Sequence, residues 1–288
     1  MRDSGKVQPV TDELWNLDAY CSRIGYAGTR SPTYAALASI VEHHALALAF
    51  ENLDVLLGKG IRLDAPSLQA KMVHGGSGGY CFEHNTLLAG VLRQIGFDVT
   101  AHLGRGRWRV PIGVTLPRTH MVLTVALGSE RFLVDGGYGG VGLTSPLKLD
   151  SAEPQASLFE AQRVVASAHE RLVQARIAGE WRDLYTFTDE PEPPIDFEVA
   201  NWYTATHPDS RFRQTLIVCG ASRAARYVLF NRELTTYGHA TKETTLIDNP
   251  EALRGVLSSR FGLEVPASSD SSGSDALQRL WAVASSPR

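Results

Sequence analysis

The hydrophobic pattern of this chain changes at Gly96, and the change limits the folds that it can adopt. Before Gly96, apolar residues recur three and four positions apart, which is the periodicity of amphipathic helices. After Gly96, short stretches rich in β-branched and aromatic residues are separated by Gly, Pro and Ser, which is typical of strands and turns. The sequence therefore predicts a helical segment followed by a β segment.

Three helices are predicted before Gly96. Thr11 is expected to cap the first, and Ser31-Pro32 begins the second with a cap followed by proline at the first helical position. The third begins near Cys81, directly after a glycine-rich loop, and Gly96 ends it. This third helix places a cysteine in its first turn.

The middle segment is predicted to form a small β-barrel or sandwich, because short strands follow one another at close intervals. The acidic, proline-rich stretch that follows is expected to be a linker, and a connecting helix is predicted after it. The predicted strands are 99–110, 121–127, 131–134, 162–165 and 171–177.

The last third mixes both patterns. Strands are predicted at 215–218, 227–230 and 244–247, and Asn249 is expected to cap a helix. The serine-rich stretch 267–275 is then expected to connect this helix to a short terminal one. The order of segments is helical, β, then α/β.

The bulk properties of the 288 residues argue against several classes of function. A formal net charge of -3 and a pI near 6.3, without a run of Lys or Arg, argue against nucleic acid as a partner. No apolar run approaches the roughly 18 residues that a membrane span requires, and the polar N-terminus does not resemble a signal peptide. Three cysteines favour a reducing compartment over a disulfide framework, so we expect a cytoplasmic protein.

Cys81 is the strongest candidate for a reactive residue. It stands where the glycine-rich loop turns into a helix, and free N–H groups at a helix start favour a thiolate. The same N–H groups can stabilise an oxyanion. A lone cysteine can also be a small core residue, and Cys21 and Cys219 fit that alternative, since each lies within an apolar pattern.

A nucleophilic thiol needs a base, and the base needs an orienting group. His120 begins one predicted strand and Asp135 ends another, so both side chains would project from neighbouring strand ends. Each also has an ordinary interpretation, as a hydrogen-bonded core histidine and as a turn residue before two glycines. His84, three residues after Cys81, is a rival base or half of a metal site. No second Cys/His pair has metal-ligand spacing, so no metal is expected.

Several ordered motifs resemble those of the arylamine N-acetyltransferases. The nucleophile motif Gly-Gly-Tyr-Cys-Phe-Glu at 78–83, together with Asn85, is the most specific of them. The likeness spans nearly the whole chain. The other segments that resemble the family are 50–58, 120–123, 133–139, 201–204, 206–212 and 260–263.

The resemblance implies an α+β multidomain fold with a Cys-His-Asp triad like that of cysteine proteases. The nucleophile is expected on an N-terminal helical bundle, His and Asp on a central β-barrel, and a C-terminal α/β lid completes the chain. The implied boundaries are 1–96 for the bundle, 97–189 for the barrel, 190–206 for an interdomain linker or helix, and 207–288 for the lid.

The resemblance also implies a ping-pong reaction. The Cys81 thiolate takes the acetyl group of acetyl-CoA, CoA leaves, and an arylamine, arylhydrazine or N-hydroxyarylamine accepts the acetyl group. Cys81, His120 and Asp135 inherit the triad roles. Acetyl-CoA is then the acyl-donor substrate, and no permanently bound cofactor is expected. The sequence is compatible with both a monomer and a homodimer.

Further residues of the site follow from the same resemblance. Phe50 and Tyr138 are expected to line the acceptor pocket, and Phe212 is expected to close the cleft. Thr119 and Gly139 are expected to lie beside the thioester.

Trp108 is the residue expected to contact CoA, on weaker matching of the motifs. Two positions depart from the family pattern. Arginine usually precedes the Gly-Gly of the cysteine motif, whereas this chain has Ser77, so Glu51 would be unpaired or paired elsewhere. Tyr138 stands where phenylalanine is common, and its hydroxyl is expected to make the acceptor pocket more polar.

Two other functions share the triad. A macrolactam-forming amide synthase of the same superfamily would take a long acyl chain from a carrier protein, and a Cys-His-Asp hydrolase would pass the acyl group to water. The breadth of the motif match favours the acetyltransferase over the hydrolase.

Overall fold

A computed structural model describes residues 14–111, 113–167, 169–265 and 276–286. The helices lie mainly in the first and last parts of the chain, and the strands form two separate antiparallel sheets. In the described residues the helices are α1 (Leu17–Ile24), α2 (Tyr34–Ala47), α3 (Leu53–Leu56), α4 (Ala65–Leu68), a π-helical turn (Gln69–His74), α5 (Cys81–Ile95), α6 (Pro194–Thr206), α7 (Arg211–Gln214), α8 (Pro250–Phe261) and α9 (Ala276–Ser285).

Local chemistry explains where the first helices begin. The side chain of Asn16 accepts a hydrogen bond from Ala19 N at 3.0 Å and caps α1. The predicted cap, Thr11, lies outside the described residues. Thr33 caps α2 in the same way, two residues after the predicted start at Ser31. Helix α5 begins at Cys81 and ends at Gly96, which confirms the third predicted helix.

A seven-stranded sheet forms a barrel-like structure after α5. Its spatial order is β5-β4-β3-β2-β8-β7-β6, so β2 and β3 lie near its middle. The strands are β2 (Asp98–Gly106), β3 (His120–Leu127), β4 (Glu130–Val134), β5 (Leu147–Lys148), β6 (Gln162–Ala166), β7 (Arg171–Ile177) and β8 (Glu180–Phe187).

Gln155 joins the two edges of this sheet. Its backbone exchanges hydrogen bonds of 2.8 and 2.9 Å with Gln162 on β6. Its side-chain amide bonds both the N–H and the carbonyl of Lys148 on β5, at 2.6 and 3.0 Å. One residue outside the strands therefore nearly closes the barrel, and edge N–H and C=O groups that would otherwise be open are paired.

A strand from the first third of the chain belongs to the second sheet. The order of this sheet is β1-β9-β10-β11-β12, and Phe50 of β1 pairs with Cys219 of β9. The helical segment and the C-terminal segment are therefore joined by backbone hydrogen bonds. The strands are β1 (Phe50–Glu51), β9 (Ile217–Ala221), β10 (Ala225–Phe230), β11 (Glu233–Gly238) and β12 (Lys242–Leu246).

Three apolar clusters hold these layers together. One packs α1, α2 and α5 against β2 to β4, a second fills the barrel interior, and a third lies between the five-stranded sheet and helices α8 and α9. Burial of this apolar surface is the main stabilising contribution to the fold. The first cluster includes Cys81, so the proposed nucleophile lies in the contact between helices and barrel.

The structure confirms the α+β class and a barrel-like sheet. Strand β8 was not predicted, because Glu180, Arg182 and Asp183 interrupt its apolar pattern, yet it pairs with both β2 and β7. Strand β2 ends at Gly106 rather than at 110, since Arg109 adopts a positive φ of 57° in a turn. The predicted connection 267–275 lies outside the described residues.

Within the part of the chain that the structure describes, no helix is long and apolar enough to cross a membrane.

Candidate active site

Cys81 occupies the first position of α5 and is almost fully buried, with 2% of its surface exposed. Its thiol donates to the carbonyl oxygen of Thr119 at 3.6 Å, so Thr119 lies beside the sulfur. The preceding glycines run along β1, where Gly79 O accepts from Glu51 N at 2.7 Å. A side chain at Gly78 would overlap the carbonyl oxygen of Ala49, so this close backbone contact requires glycine.

His120 and Asp135 meet beside Cys81. His120 is the first residue of β3 and Asp135 directly follows β4, so adjacent antiparallel strands bring the two side chains together. His120 Nε2 lies 2.7 Å from Asp135 Oδ2. This contact leaves the other ring nitrogen, Nδ1, free of the carboxylate.

The second carboxylate oxygen of Asp135 is also fully engaged. Its Oδ1 accepts from Asn85 Nδ2 and from Gly137 N, both at 2.9 Å. Asn85 in turn donates to Met121 O at 2.7 Å and accepts from Gly136 N at 2.9 Å. Asp135 is therefore held by hydrogen bonds from Asn85 on α5 and from Gly137 in its own turn, and these bonds fix its orientation toward His120.

Electrostatics around His120 favour its charged form. Burial alone would lower its pKa, but the Asp135 carboxylate, the hydrogen bond to it and the adjacent Cys81 sulfur raise the pKa of His120 to about 10. Burial opposes ionisation of Asp135 as well, yet His120, Asn85 and Gly137 N–H hold its pKa below the ordinary value. The site therefore places an imidazolium next to a buried thiol.

The turn after Asp135 is packed directly on the cysteine. A Cβ atom added at Gly137 would lie 2.6 Å from Cys81 Cα, closer than real side chains approach a backbone. The absence of a side chain at Gly137 therefore allows the turn that carries Asp135 to approach α5.

Two tyrosine rings pack on His120 and on each other. The ring of Tyr138 lies edge-on to His120 with centroids 5.4 Å apart, Tyr185 of β8 packs on His120 at 4.6 Å, and the two tyrosine rings are 5.2 Å apart. The hydroxyl of Tyr138 donates to Leu184 O at 2.9 Å. Because this hydroxyl already has an acceptor, it adds less polarity to the pocket than the sequence suggested.

Phe50 and Phe212 form a second aromatic group near the glycine-rich loop that leads to Cys81. Their ring centroids are 6.1 Å apart, and Phe212 lies 5.8 Å from the ring of Tyr80. Gly139 has a positive φ of 73°, and a Cβ there would lie 3.0 Å from Phe50 Cγ. Pocket residues predicted from three distant segments are thus brought together.

Trp108 is separate from this group. It follows β2 in the turn before Arg109 and packs against the barrel cluster that also contains Tyr138. The guanidinium of Arg109 lies 5.6 Å from its ring centroid. The expected contact between Trp108 and CoA remains a prediction.

His84 is not positioned as a base for Cys81. Its Nε2 lies 3.0 Å from Ala49 O, and its Nδ1 lies 2.9 Å from His44 Nε2. Because a carbonyl can only accept, Nε2 carries the proton, and Nδ1 accepts from His44. Burial lowers the pKa of His84 to about 4. Both nitrogens are therefore engaged within the helical layer.

Glu51 is paired despite the missing arginine. Its Oε2 accepts from Leu53 N at 2.6 Å, and its Oε1 lies 3.6 Å from Lys71 Nζ. Sequence analysis did not single out Lys71 or Tyr185, because neither belongs to a recognisable motif. Asn85 was part of the cysteine motif, and its position four residues after Cys81 places it on the same helical face.

Within the residues that the structure describes, no three or more His, Cys, Asp or Glu side chains are arranged to hold a metal ion.

Comparison with known proteins agrees with this geometry. A family model described as N-acetyltransferase matches residues 33–269. An arylamine N-acetyltransferase from Mycolicibacterium smegmatis is 39% identical over 272 residues, which cover 93% of this chain and 98% of the relative. The chain belongs to the arylamine N-acetyltransferase family. The resemblance found in the sequence is thereby confirmed, and the chain is an acyltransferase.

Other members of the arylamine N-acetyltransferase family are similar over most of their length. An arylamine N-acetyltransferase / N-hydroxyarylamine O-acetyltransferase from Salmonella typhimurium is 35% identical, with 86% of this chain and 89% of the relative covered. The solved structure of the Mycobacterium marinum arylamine N-acetyltransferase in complex with CoA superposes with a TM-score of 0.86. The two chains are 34% identical, and the match covers 93% of this chain and 98% of the Mycobacterium marinum chain.

Proposed function

We propose that this protein transfers the acetyl group of acetyl-CoA to the nitrogen of arylamines, arylhydrazines or N-hydroxyarylamines through an acetyl thioester on Cys81. The observation that carries the proposal is the pair formed by His120 Nε2 and Asp135 Oδ2, 2.7 Å apart, beside a cysteine at the start of a helix. Family membership and the CoA complex of a relative support CoA as the leaving group.

The first half of the reaction loads the enzyme. With His120 as imidazolium, Cys81 provides the thiolate, which attacks the carbonyl carbon of acetyl-CoA. The oxyanion that forms is stabilised by N–H groups in the first turn of α5, because these lack acceptors within the helix. The carbon–sulfur bond to CoA breaks, and the CoA thiolate takes the imidazolium proton. Cys81 is left as an acetyl thioester and His120 as a neutral imidazole.

The second half transfers the group to the amine. The nitrogen attacks the thioester carbonyl, His120 takes the proton that the amine loses, and the Cys81 thiolate leaves. Asp135 keeps the imidazole oriented and stabilises its charged form in both halves. The enzyme returns to its starting protonation state.

The aromatic lining is suited to a flat acceptor. Phe50 and Phe212 pack together beside Tyr80, the residue before Cys81, and Tyr138 packs on His120. Such a lining limits the access of water to the thioester, while an aromatic amine can stack within it. In this scheme the helical segment supplies the nucleophile, the barrel supplies His120 and Asp135, and the C-terminal segment supplies Phe212.

Mass spectrometry and initial-rate kinetics test the proposal together. Incubation with acetyl-CoA alone is expected to add one acetyl group, located on Cys81 by peptide mapping and removed by an arylamine. Plots of reciprocal rate against reciprocal acetyl-CoA concentration, at several fixed amine concentrations, are expected to be parallel. A Cys81→Ser variant serves as the control that should not retain the acetyl group.

The same experiment separates the alternatives. Intersecting plots without a trapped intermediate would indicate direct transfer in a ternary complex, and Cys81 would lose its proposed role. Release of acetate at the same rate with and without amine would identify a hydrolase. Loading by a long-chain acyl thioester but not by acetyl-CoA would favour the amide synthase.

A further inference from the structure

A largely buried lysine outside the proposed triad contacts three acidic side chains around residues 78–81, the nucleophile loop. Lys71 lies on the π-helical turn, and its side chain is 17% exposed. Its Nζ lies 2.8 Å from Glu83 Oε1, 2.8 Å from Asp54 Oδ2 and 3.6 Å from Glu51 Oε1. Single-turn π-helical insertions of this kind occur frequently at functional sites.

Two of these acids hold the backbone that leads to Cys81. Glu83 Oε2 accepts from the N–H of Tyr80, the residue directly before the cysteine, at 3.1 Å. The Glu51 carboxylate accepts a hydrogen bond from Leu53 N, and the backbone N–H of Glu51 donates to Gly79 O at 2.7 Å. Of the carboxylates that Lys71 contacts, that of Glu83 bonds residues 78–81 directly, whereas Glu51 is joined to them through its backbone N–H.

The charge balance of this cluster depends on Lys71. Three carboxylates face one ammonium in a largely buried space, and Lys59 contacts only Asp54, from the exposed side, at 2.9 Å. Burial raises the pKa of Glu83 to about 7 even with Lys71 present, and it raises the pKa of Glu51 as well. Without Lys71, these acids would repel one another or take up protons.

We propose that Lys71 is a positioning residue for Cys81, which acts by holding Glu51 and Glu83 in the arrangement that fixes the nucleophile loop. It does not contact the reacting atoms. The inference rests on the proposed function only in taking Cys81 as the nucleophile. If the loop is released, Cys81 moves relative to His120 and loses its contact with the His120–Asp135 pair.

If Lys71 acts through its charge, the effect of removing it depends on pH, whereas the effect of losing a packing contact alone does not. In a Lys71→Met variant the buried carboxyl groups of Glu51 and Glu83 are protonated and uncharged at low pH, so the loop keeps its arrangement. As the pH rises these two groups ionise without a counter-ion, because Lys59 contacts Asp54, and the carboxylates repel one another. The titratable groups facing Lys71 or its partners are Glu51, Asp54, Glu83, Lys59, Tyr80 and His84.

The rate at which iodoacetamide alkylates Cys81 measures the effect without requiring acetyl transfer. We would measure it by peptide mapping of the full chain between pH 6 and 8.5, dividing each variant's rate by the native rate at the same pH. For Lys71→Met this ratio is expected to fall about tenfold with rising pH, which corresponds to about one pKa unit of coupling. Lys71→Arg is expected to stay near the native rate. Lys59→Met, with the same loss of charge, is the matched control and should show no trend.

Two second-site changes test whether charge is the cause. Ser77 lines the same cleft as Glu51 and Asp54, so Ser77→Arg can return a cation to the acids in the Lys71→Met background. Glu83→Gln in that background removes one negative charge and keeps an oxygen to accept from Tyr80 N. Both double variants are expected to recover most of the alkylation rate at pH 8.5, even if Lys71→Met alone does not fold there.

The outcomes separate this inference from the proposed function. A pH-independent ratio for Lys71→Met, or failure of both double variants to recover the rate, would overturn the positioning role. If the native enzyme forms no acetyl thioester while the alkylation ratios behave as described, the acetyl-transfer proposal fails and the role of Lys71 stands.

Discussion

The cysteines of this chain differ in their surroundings rather than in their burial. Cys21 and Cys81 are 3% and 2% exposed, and Cys219 on β9 is 7% exposed, so all three are buried. Burial raises the pKa of Cys219 to about 11, because its surroundings provide too little positive charge to offset desolvation. Cys81 instead neighbours His120, whose charged form Asp135 supports. We therefore infer that the neighbouring His120–Asp135 pair, rather than burial, distinguishes Cys81 from the other two cysteines.

Asp135→Asn tests this dependence at the residue scale. The amide can still accept from Asn85 and Gly137, so the fold should be retained. His120 would lose its carboxylate, and acetyl transfer is expected to fall by roughly 10³–10⁴-fold, as in other triads of this type. The measurement is kcat/KM for an arylamine, with the circular dichroism spectrum as a check on folding. Asp150→Asn is the control, since Asp150 pairs with arginines on the barrel surface; an equal loss there would contradict the assignment.

At the scale of elements, a chain of hydrogen bonds ties together α1, α2 and α5. Tyr20 donates to His44 Nδ1 at 2.8 Å, His44 Nε2 donates to His84 Nδ1 at 2.9 Å, and His84 Nε2 donates to Ala49 O at 3.0 Å. Every member is satisfied only while both histidines are neutral. Burial lowers the pKa of both, which favours that state.

This chain of hydrogen bonds from Tyr20 to Ala49, the relay, predicts that the folded protein loses stability in acid. The pKa of His84 is about 4 in the folded protein and about 6.5 in the unfolded chain, so the unfolded state binds more protons between these values. Stability is therefore full above pH 6.5 and falls as the pH drops toward 4, by up to about 3 kcal/mol. Urea unfolding at several pH values measures this slope.

His84→Gln is the diagnostic variant for the relay. A glutamine amide can donate to Ala49 O and accept from His44 while losing the titratable group. It should therefore keep most of the activity and show a shallower loss of stability in acid. His43→Gln is the control, because His43 bonds within its own helix to Ser39 O and lies outside the relay. A steep loss of activity in His84→Gln, with an unchanged acid slope, would contradict this view.

The sequence predicted most reliably those features for which residue chemistry and hydrophobic periodicity indicate the same structure. The start of α5 at Cys81 and its end at Gly96 follow from local rules of capping, and the meeting of His120 with Asp135 follows from adjacent strand ends. Lys71 could not be identified in this way, because its partners come from three separate elements. Strand β8 was missed because its charged residues face outward while Tyr185 and Phe187 point into the core.

At the scale of the whole molecule, the barrel depends on a residue outside its strands. Gln155 links β5 to β6 through both its backbone and its side chain. The edge that it closes lies next to β4, which leads to Asp135. The position of the orienting carboxylate is therefore connected to closure of the sheet.

Gln155→Ala is expected to remove the two side-chain hydrogen bonds to Lys148. The expected loss of stability is about 1–2 kcal/mol, since each such bond contributes on the order of 1 kcal/mol. Thermal unfolding measures the loss, and hydrogen exchange in β5 should increase with it. Gln214→Ala, which removes a side-chain bond to Pro208 O outside the barrel, is the control. Unchanged exchange in β5 would show that the barrel closes without Gln155.

The pairing of Phe50 with Cys219 has a consequence for the order in which the chain matures on the ribosome. Cys81, His120 and Asp135 are all synthesised well before β9, so they can be folded together while the C-terminal third is still absent. Phe50 is then left without its partner strand, and Phe212 has not been placed over it. If Cys81 is the nucleophile as proposed, the nascent chain therefore holds this thiol before it has the aromatic pocket, which becomes complete only when the last third of the protein emerges and β1 pairs with β9.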